Sequence, residues 1–143
     1  MGKRETMSMR MESLSENEEF ARVVAAVFAS RLDPTVEELD DIKTAVSEAV
    51  TNAVIHGYGE GEGEIVLSAE ADMEAQTLTV TVEDFGAGIP DVKKAMEPMF
   101  TTAPEGERSG MGFSFMEAFM DEVFVDSEPG RGTRVVMRKK IGG

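Results

Sequence analysis

Residues 48–57 read EAVTNAVIHG and carry Glu48, Asn52 and the only histidine, His56, at intervals of four residues. This spacing predicts a helix, in which each step of four residues turns the side chain by about 40° around the axis. The three side chains therefore move from the polar face, where Glu48 lies, towards the edge of the apolar face. Taken alone, Glu48 and Asn52 are typical of a solvated face, and His56 is typical of a helix end or a packing position.

The composition restricts the class of protein before any motif is considered. The chain has 143 residues, of which 41% are hydrophobic and 29% charged, as is typical of one soluble globular domain. It has no cysteine, which excludes disulfides and thiolate chemistry. No signal peptide and no apolar run of about 20 residues is visible, so we expect a cytoplasmic protein that does not enter a membrane. With a net charge of −14, direct binding to nucleic acid is not expected.

Two helices are predicted in the N-terminal half. In the first, Ser15 and Glu18 form a capping-box pattern. Arg22 lies opposite the apolar stripe of this helix, which indicates a solvated side chain. In the second, Asp33 is predicted to cap the start, and Gly57 to end the helix in a left-handed conformation. The predicted apolar stripe of the first helix is Phe20, Val23, Val24, Val27 and Phe28. The predicted core face of the second is Leu39, Ile42, Val46, Ala49, Val50 and Ala53.

Alternating apolar and polar residues predict five strands around these helices. One lies near Met7–Met11 and the others form two hairpins, one over residues 64–84 and one over 122–140. A short helix is predicted at 91–97 and a third substantial helix after residue 110. The order of elements predicts a two-layer α/β sandwich, with a mixed, mostly antiparallel sheet packed on three main helices.

Two glycine-rich segments indicate where a ligand would approach the backbone. DFGAGIP places Asp84 at the end of a predicted strand, followed by Gly86 and Gly88, and glycine permits backbone angles and contacts that other residues do not. SGMGF, residues 109–113, begins a predicted helix, where unpaired amides favour phosphate, and Arg108 precedes it. A tight turn and a helix cap explain the same segments without a ligand, so neither segment is specific by itself.

Familiar nucleotide motifs are missing, including the GxxxxGK[ST] phosphate loop and the GxGxxG fingerprint. With one histidine and no cysteine, the chain is poorly supplied for a metal site made only of protein groups. A Mg²⁺ ion that keeps waters and nucleotide phosphates needs few protein ligands, and Asn52 is a candidate.

Four motifs in order carry a family resemblance. ExxxNAxxHG, DxGxGI, GMGF and a GT in the last hairpin resemble the boxes of the gyrase, histidine-kinase and MutL ATP-binding superfamily. Within it, KTAVSEAVTNAVIHGY and FTTAPEGERSGMGFSFMEAFMD resemble the anti-sigma F factors of spore-forming bacilli, from about Met11 to the final strand. The resemblance implies the Bergerat fold, one domain over residues 1–143 with an ATP lid at 98–112, and ATP or ADP with Mg²⁺ as cofactors.

The resemblance also implies roles for matching residues. Glu48 would be the general base or positioning carboxylate for the attacking hydroxyl, and Asn52 would be a Mg²⁺ ligand. Asp84 would accept a hydrogen bond from the adenine amino group, in a pocket supported by Thr133. Arg22 would contact a protein partner, which differs from the solvated role that its position suggests. Further nucleotide contacts are expected from Gly86, Gly88, Thr101, Thr102, Arg108, Ser109, Gly110, Met111 and Gly112.

The function implied is that of an anti-sigma factor and serine-protein kinase. Its ATP-bound form would bind and inhibit a sigma F-like factor, and it would phosphorylate an anti-anti-sigma protein on serine. A homodimer is also expected from the family. Two alternatives remain: a nucleotide-gated anti-sigma binding module without kinase activity, and the related general-stress anti-sigma kinase. Glu48 separates the kinase from the binding module, because binding alone does not require it.

Overall fold

The computed structural model describes residues 3–59, 61–96 and 112–142. Its strands are β1 Arg4–Glu12, β2 Glu64–Asp72, β3 Thr77–Asp84, β4 Glu122–Glu128 and β5 Gly132–Lys140. Its helices are α1 Asn17–Ala29, α2 Val36–Asn52, α3 Val92–Ala95 and α4 Gly112–Phe119. The strands form one sheet in the spatial order β1-β2-β3-β5-β4.

The sheet buries one face against the helices. In β2 and β3 every second residue is buried, as the alternation in the sequence predicts. All four neighbouring pairs are antiparallel, so the described sheet is antiparallel throughout rather than mixed. The two-layer sandwich, both hairpins and the short helix near 91–97 are confirmed. The fully buried large side chains between sheet and helices are Leu32, Ile42, Val46, Val50, Ile65, Leu67, Leu78, Val80, Met116, Met137 and Ile141.

The helix α2 begins at a capping box different from the predicted cap. The Thr35 hydroxyl accepts a hydrogen bond from the Glu38 amide (3.0 Å), and the Glu38 carboxylate accepts one from the Thr35 amide (2.9 Å). The prediction that Asp33 caps this helix was wrong, because Asp33 adopts a left-handed conformation (φ 57°) that ends the 3₁₀ turn Ser30–Leu32. The predicted core face is confirmed, with Leu39 partly buried and the other members buried.

The packed face of helix α1 only partly matches the predicted stripe: Phe28 is buried and Val24 packs against the core, as predicted, but the other three members are exposed. Of the predicted stripe, Phe20, Val23 and Val27 are 55%, 49% and 61% exposed. For these three residues the prediction was wrong, because three alanines share the inner face with Phe28 and small side chains let a helix approach its neighbour closely. The predicted cap at Ser15 was also wrong, since Glu16 is the N-cap residue and no side-chain cap bond forms. The buried residues of α1 are Ala21, Ala25, Phe28 and Ala29.

The helix α4 confirms the apolar spacing expected after residue 110. Phe113 and Met116 are buried on its inner face, and Met120 is buried just after its end. Lys139 on β5 donates a hydrogen bond to the Phe119 carbonyl (2.8 Å), which holds the C-terminal end of the helix against the sheet. Across the part of the chain that the structure describes, no helix combines the length and hydropathy needed to cross a membrane.

Candidate functional site

The helix α2 ends in an irregular turn beside the candidate site. After Asn52 the chain continues in a π-helical turn, Ala53–Gly57, closed by a hydrogen bond from the Tyr58 amide to the first carbonyl of that turn (3.1 Å). Such turns are rare and frequently occur at functional sites. Gly57 was predicted to end the helix as a left-handed glycine, but the left-handed residue is Gly59 (φ 59°). Gly57 is therefore required for another reason.

That reason is the close approach of Asp84. A Cβ atom on Gly57 would lie 2.8 Å from the carboxyl carbon and from Oδ2 of Asp84. Asp84 ends β3 and is only 5% exposed, and its Oδ1 accepts a hydrogen bond from the Gly86 amide (2.9 Å). The buried carboxylate thus lies directly against the end of the helical segment that carries Asn52.

Burial changes the protonation chemistry of Asp84. Loss of solvent raises the pKa of the Asp84 carboxyl above its ordinary value, while hydrogen bonds from the backbones of Gly86 and Thr133 act in the opposite direction. The nearby charge of Glu83 adds to the upward shift of the Asp84 pKa. A ligand that donates an N–H to this carboxylate would offset part of the cost of burying it.

Gly86 and Gly88 are held by contacts with the protein itself. A Cβ on Gly86 would lie 1.9 Å from the Gly57 carbonyl oxygen, and a Cβ on Gly88 (φ 79°) would lie 2.0 Å from the Glu128 carbonyl oxygen. The amide of Ala87 donates a hydrogen bond to the Gly57 carbonyl (2.7 Å). The loop after Asp84 is therefore attached to the end of the π-helical turn on one side and to the β4–β5 turn on the other.

Thr133 lies beside Asp84 and is attached to a residue that the sequence analysis missed. Thr133 and Asp84 are register partners on β5 and β3, and both are buried. The Thr133 hydroxyl is 2.8 Å from Ser127 Oγ, which accepts a hydrogen bond from the Ile89 amide (2.7 Å) and donates one to the Gly132 carbonyl (2.9 Å). The signal for Ser127 was a polar residue at an inward-facing position of β4.

Tyr58 is a second residue that the sequence analysis missed. Its hydroxyl donates a hydrogen bond to the Glu64 carbonyl (2.6 Å) and accepts one from the Phe85 amide (2.8 Å). Its ring occupies the space beside Gly63, where a Cβ would lie 2.3 Å from Cε1. Tyr58 therefore joins the end of the π-helical turn, the start of β2 and the residue that follows Asp84.

Asn52 connects α2 to the start of α4. A Cβ on Gly112 would lie 3.0 Å from Nδ2 and 3.2 Å from Oδ1 of Asn52, so the amide lies against the first residue of α4. Glu48, one helical turn earlier, is half-buried and interacts with other groups of the protein. The other predicted lid contacts, Thr101, Thr102, Arg108, Ser109, Gly110 and Met111, lie outside the described residues.

The side chains that could act as metal ligands restrict which kind of cation this site could hold. Within residues 3–59, 61–96 and 112–142, no group of three His, Cys, Asp or Glu residues is placed to hold a metal ion. A cation that takes most of its ligands from phosphates and water, and one amide oxygen from Asn52, fits this part of the chain. A cation that needs a complete cage of protein groups does not fit it.

Arg22 is paired rather than simply solvated. Its Nε lies 3.6 Å from Glu18 Oε2 one turn earlier on α1, and the side chain is partly exposed. The Glu18 carboxylate also accepts a hydrogen bond from the Ser47 hydroxyl, which joins α1 to α2. Ser47 immediately precedes Glu48. Arg22 is therefore connected, through Glu18 and Ser47, to the helix that carries the candidate catalytic residue.

An open recess of about 260 Å³ lies at the same end of the sheet. Its lining includes Glu83, Arg134 and Asp126, which are register partners across β3, β5 and β4. Alternation along the strands directs these side chains away from the helices. Asp84, Ser127 and Thr133 also line the recess. Carboxylates on both sides of Arg134 fit a triphosphate poorly, so the helix-facing side is the better candidate for the phosphates.

The fold and its site define the class of protein. Residues 11–139 match the family model of the histidine kinase-like ATPase domain. Part of the structure of the RsbU and RsbW domains of a Mycobacterium tuberculosis protein shares this fold, with a TM-score of 0.67 at 18% identity over 96% of this chain and 32% of that one. The catalytic domain of the histidine kinase ThkA does too, with a TM-score of 0.57 at 20% identity over 96% of each chain. A domain of this class implies binding of ATP or ADP.

Relatives with higher identity define the family within that class. The chain is 55% identical to the anti-sigma F factor of Pasteuria penetrans over 97% of its length and 93% of that protein. It is 55% identical to that of Clostridium novyi over 94% of both, and 54% identical to that of Geobacillus kaustophilus over 96% and 94%. The chain belongs to the family of anti-sigma F factors.

Proposed function

We propose that the protein binds and inhibits a sigma F-like sigma factor in its ATP-bound form, and that it phosphorylates an anti-anti-sigma protein on serine. The observation that carries the proposal is the contact of the buried Asp84 carboxylate with Gly57, just beyond Asn52. A nucleotide needs a recognition group for its base and a second group for its phosphates. Asp84, which lies against Gly57, would recognise the base. Asn52, at the other end of the same π-helical turn, would serve the phosphates.

The base would lie at Asp84. An ionised carboxylate can only accept hydrogen bonds, and the adenine amino group is a donor that would satisfy it. Thr133, the register partner of Asp84, would extend the same recognition surface. Gly86 and Gly88 would shape the pocket indirectly, because their contacts hold the loop that follows Asp84.

The phosphates would lie near Asn52 and the start of α4. The N-terminal end of a helix favours anions through its unpaired amides, and Gly112 begins that helix beside Asn52. Asn52 would hold Mg²⁺, which when bound supplies neutralisation of phosphate charge in a protein of net charge −14. We propose that the lid, residues 98–112, completes the site with Arg108 at the terminal phosphate.

Glu48 would position the attacking hydroxyl. In the reaction, the serine oxygen of the substrate bonds to the terminal phosphorus, the bond to the bridging oxygen breaks, and ADP leaves. The serine proton passes to the Glu48 carboxylate or to water. Phosphoryl transfer has a loose transition state, so accurate placement of the hydroxyl contributes more than strong basicity. A carboxylate one helical turn from Asn52 is suitably placed for this role.

The outer face of α1 would bind protein partners. Phe20, Val23 and Val27 are all exposed, and exposed apolar side chains on one helix are typical of protein–protein contact sites. Arg22 lies on the same helix but opposite these side chains, where it is paired with Glu18, and would contribute a separate charged contact. We propose that inhibition of the sigma factor and phosphorylation of the anti-anti-sigma protein both occur in the cytoplasm. We also propose that the active species is a homodimer.

The test is phosphotransfer with labelled ATP, Mg²⁺ and a purified anti-anti-sigma protein, followed by phosphosite mapping. We expect label on serine with the wild-type protein. Glu48→Gln should retain ATP binding and sigma capture but lose about 100-fold or more in phosphotransfer rate. Glu37→Gln, an exposed carboxylate at the other end of α2, is the matched control and should behave as wild type. Unchanged phosphotransfer by Glu48→Gln would remove the role assigned to it, and sigma capture without label would identify a binding module.

A further inference from the structure

Three adjacent strands end in a row of oxygen-bearing side chains. Asp84 on β3 is the register partner of Thr133 on β5, and Thr133 is the register partner of Ser127 on β4. Register partners direct their side chains to the same face of a sheet, here the face that packs on the helices. The Ser127 and Thr133 hydroxyls are 2.8 Å apart, so the row is joined at one end by a hydrogen bond.

The direction of that hydrogen bond follows from the other contacts of Ser127. A serine hydroxyl has one hydrogen and can accept two more. The Gly132 carbonyl oxygen, 2.9 Å from Ser127 Oγ, can only accept, so the hydrogen of Ser127 is directed to it. The Ile89 amide donates to Ser127 Oγ at 2.7 Å. With its hydrogen on the Gly132 carbonyl, Ser127 Oγ has only an acceptor position left, and in this arrangement Thr133 supplies the hydrogen of the bond between the two hydroxyls.

We infer that Ser127 is a specificity-determining residue, because it takes the hydrogen of the Thr133 hydroxyl and leaves only lone pairs on the Thr133 oxygen. This inference rests on the nucleotide site proposed above. Asp84 and Thr133 then form a pair of neighbouring acceptors. Such a pair favours a base edge that carries an amino group over one that carries an oxo group, since two facing acceptors repel.

Ser127 has a second role that the test must separate from the first. By accepting from the Ile89 amide it also holds the loop that follows Asp84, and loss of that bond would disturb the site for any nucleotide. If Ser127 only supports the loop, loss of its hydroxyl weakens the binding of all nucleotides equally. If Ser127 sets the direction of the Thr133 hydrogen, the same loss changes the preference between nucleotides.

The test is a comparison of ATP with inosine triphosphate, which has an oxo group in place of the amino group and a hydrogen on N1. Both differences are the same for wild type and variant, so the readout is the change in preference between the two proteins. Dissociation constants are measured for the wild type and for Ser127→Ala by calorimetry. Removal of the Ser127 hydroxyl lets the Thr133 hydrogen turn towards the ligand, where it can donate to the oxo group. We expect the preference for ATP over inosine triphosphate to fall by about three- to tenfold, the scale of one hydrogen bond.

Two further variants isolate the effect. Ser127→Thr keeps the hydroxyl and should restore the wild-type preference. Thr133→Val removes the hydroxyl that Ser127 orients, so adding Ser127→Ala to it should leave the preference unchanged. Thr133→Val alone should weaken the binding of ATP more than that of inosine triphosphate. This variant tests the acceptor role of Thr133 even if Ser127→Ala does not fold.

Two results would overturn the inference. In the first, Ser127→Ala weakens both nucleotides equally, which would make Ser127 a support for the loop only. In the second, Thr133→Val weakens inosine triphosphate more than ATP, which would make Thr133 a donor. A wild-type protein that binds neither nucleotide would instead contradict the proposed function itself.

Discussion

The end of β3 and the outer face of α1 use side-chain size in opposite ways. Around Asp84 the backbones approach so closely that Gly57, Gly86 and Gly88 leave no space for a Cβ. On α1 the large residues Phe20 and Val27 are exposed, although their spacing is that of a core stripe. In the first region every group is fixed by contacts within the chain. In the second, these apolar side chains stay exposed among the residues that the structure describes.

The sharpest way to test the first region is to add one methyl group where the backbones meet. Gly88 (φ 79°) and Gly130 (φ 82°) have nearly the same backbone conformation, but only Gly88 is crowded, by the Glu128 carbonyl. Gly130→Ala should lower the free energy of unfolding by about 1 kcal/mol, the cost of a left-handed alanine. Gly88→Ala should lower it by a further 2–3 kcal/mol or so, because backbone must move to relieve the contact.

Urea unfolding of the two variants measures this difference. The pair controls for conformation, since both substitutions introduce the same strained backbone angle. Equal destabilisation would show that the loop after Asp84 can move away at little cost. In that case the close packing of this region would not be what holds Asp84 in place.

The contrast between the two regions also explains what could be predicted from the sequence. Strand alternation and the core face of α2 depend on a period within one element, and both were predicted correctly. The same S/T-x-x-E pattern occurs at Ser15 and at Thr35, yet only Thr35 forms the capping box. The Glu18 carboxylate is instead bound by Ser47 from another helix, which no local pattern reveals.

The candidate site shows the same division. Glu48, Asn52 and Asp84 could be selected from spacing and residue type, and so could the glycine loops. The need for Gly57 was assigned to helix termination, whereas it comes from contact with Asp84, a residue distant in sequence. Ser127 and Tyr58 were missed because their importance lies in hydrogen bonds that join separate strands and turns. Local patterns identify chemical groups, and tertiary contacts decide how they are held.

The second prediction tests whether the two faces of α1 differ as described. Ala25 is buried on the inner face, and Ala25→Leu should lower the free energy of unfolding by about 1–3 kcal/mol through overpacking. Val27 is exposed, and Val27→Ser should change the stability by no more than about 0.5 kcal/mol. Val27→Ser should nevertheless weaken capture of the sigma factor or phosphorylation of the anti-anti-sigma protein.

Unfolding and partner-binding measurements on the same two variants separate the faces. A Val27→Ser protein that is clearly destabilised would show that the outer stripe contributes to the core after all. If it is stable and binds both partners like the wild type, the proposed contact surface lies elsewhere on the molecule.

The smallest expected effect concerns the charge that the first region buries. Because the pKa of Asp84 is raised by burial, the folded protein holds the Asp84 proton more tightly than the unfolded chain does. The ionised carboxylate therefore lowers stability as the pH rises from the ordinary value of 3.8 through the raised pKa, and the loss persists at neutral pH.

Asp84→Asn, whose amide oxygen can still accept from Gly86, should melt at a slightly higher temperature at pH 7 and show no gain below pH 3.8. Glu37→Gln removes an exposed carboxylate that does not act on Asp84 and serves as the control for a change in net charge alone. A lower melting temperature for Asp84→Asn at pH 7 would mean that the hydrogen bonds to the carboxylate outweigh the cost of burying its charge. A higher melting temperature combined with lost ATP affinity would show that the carboxylate lowers stability but is needed to recognise the base.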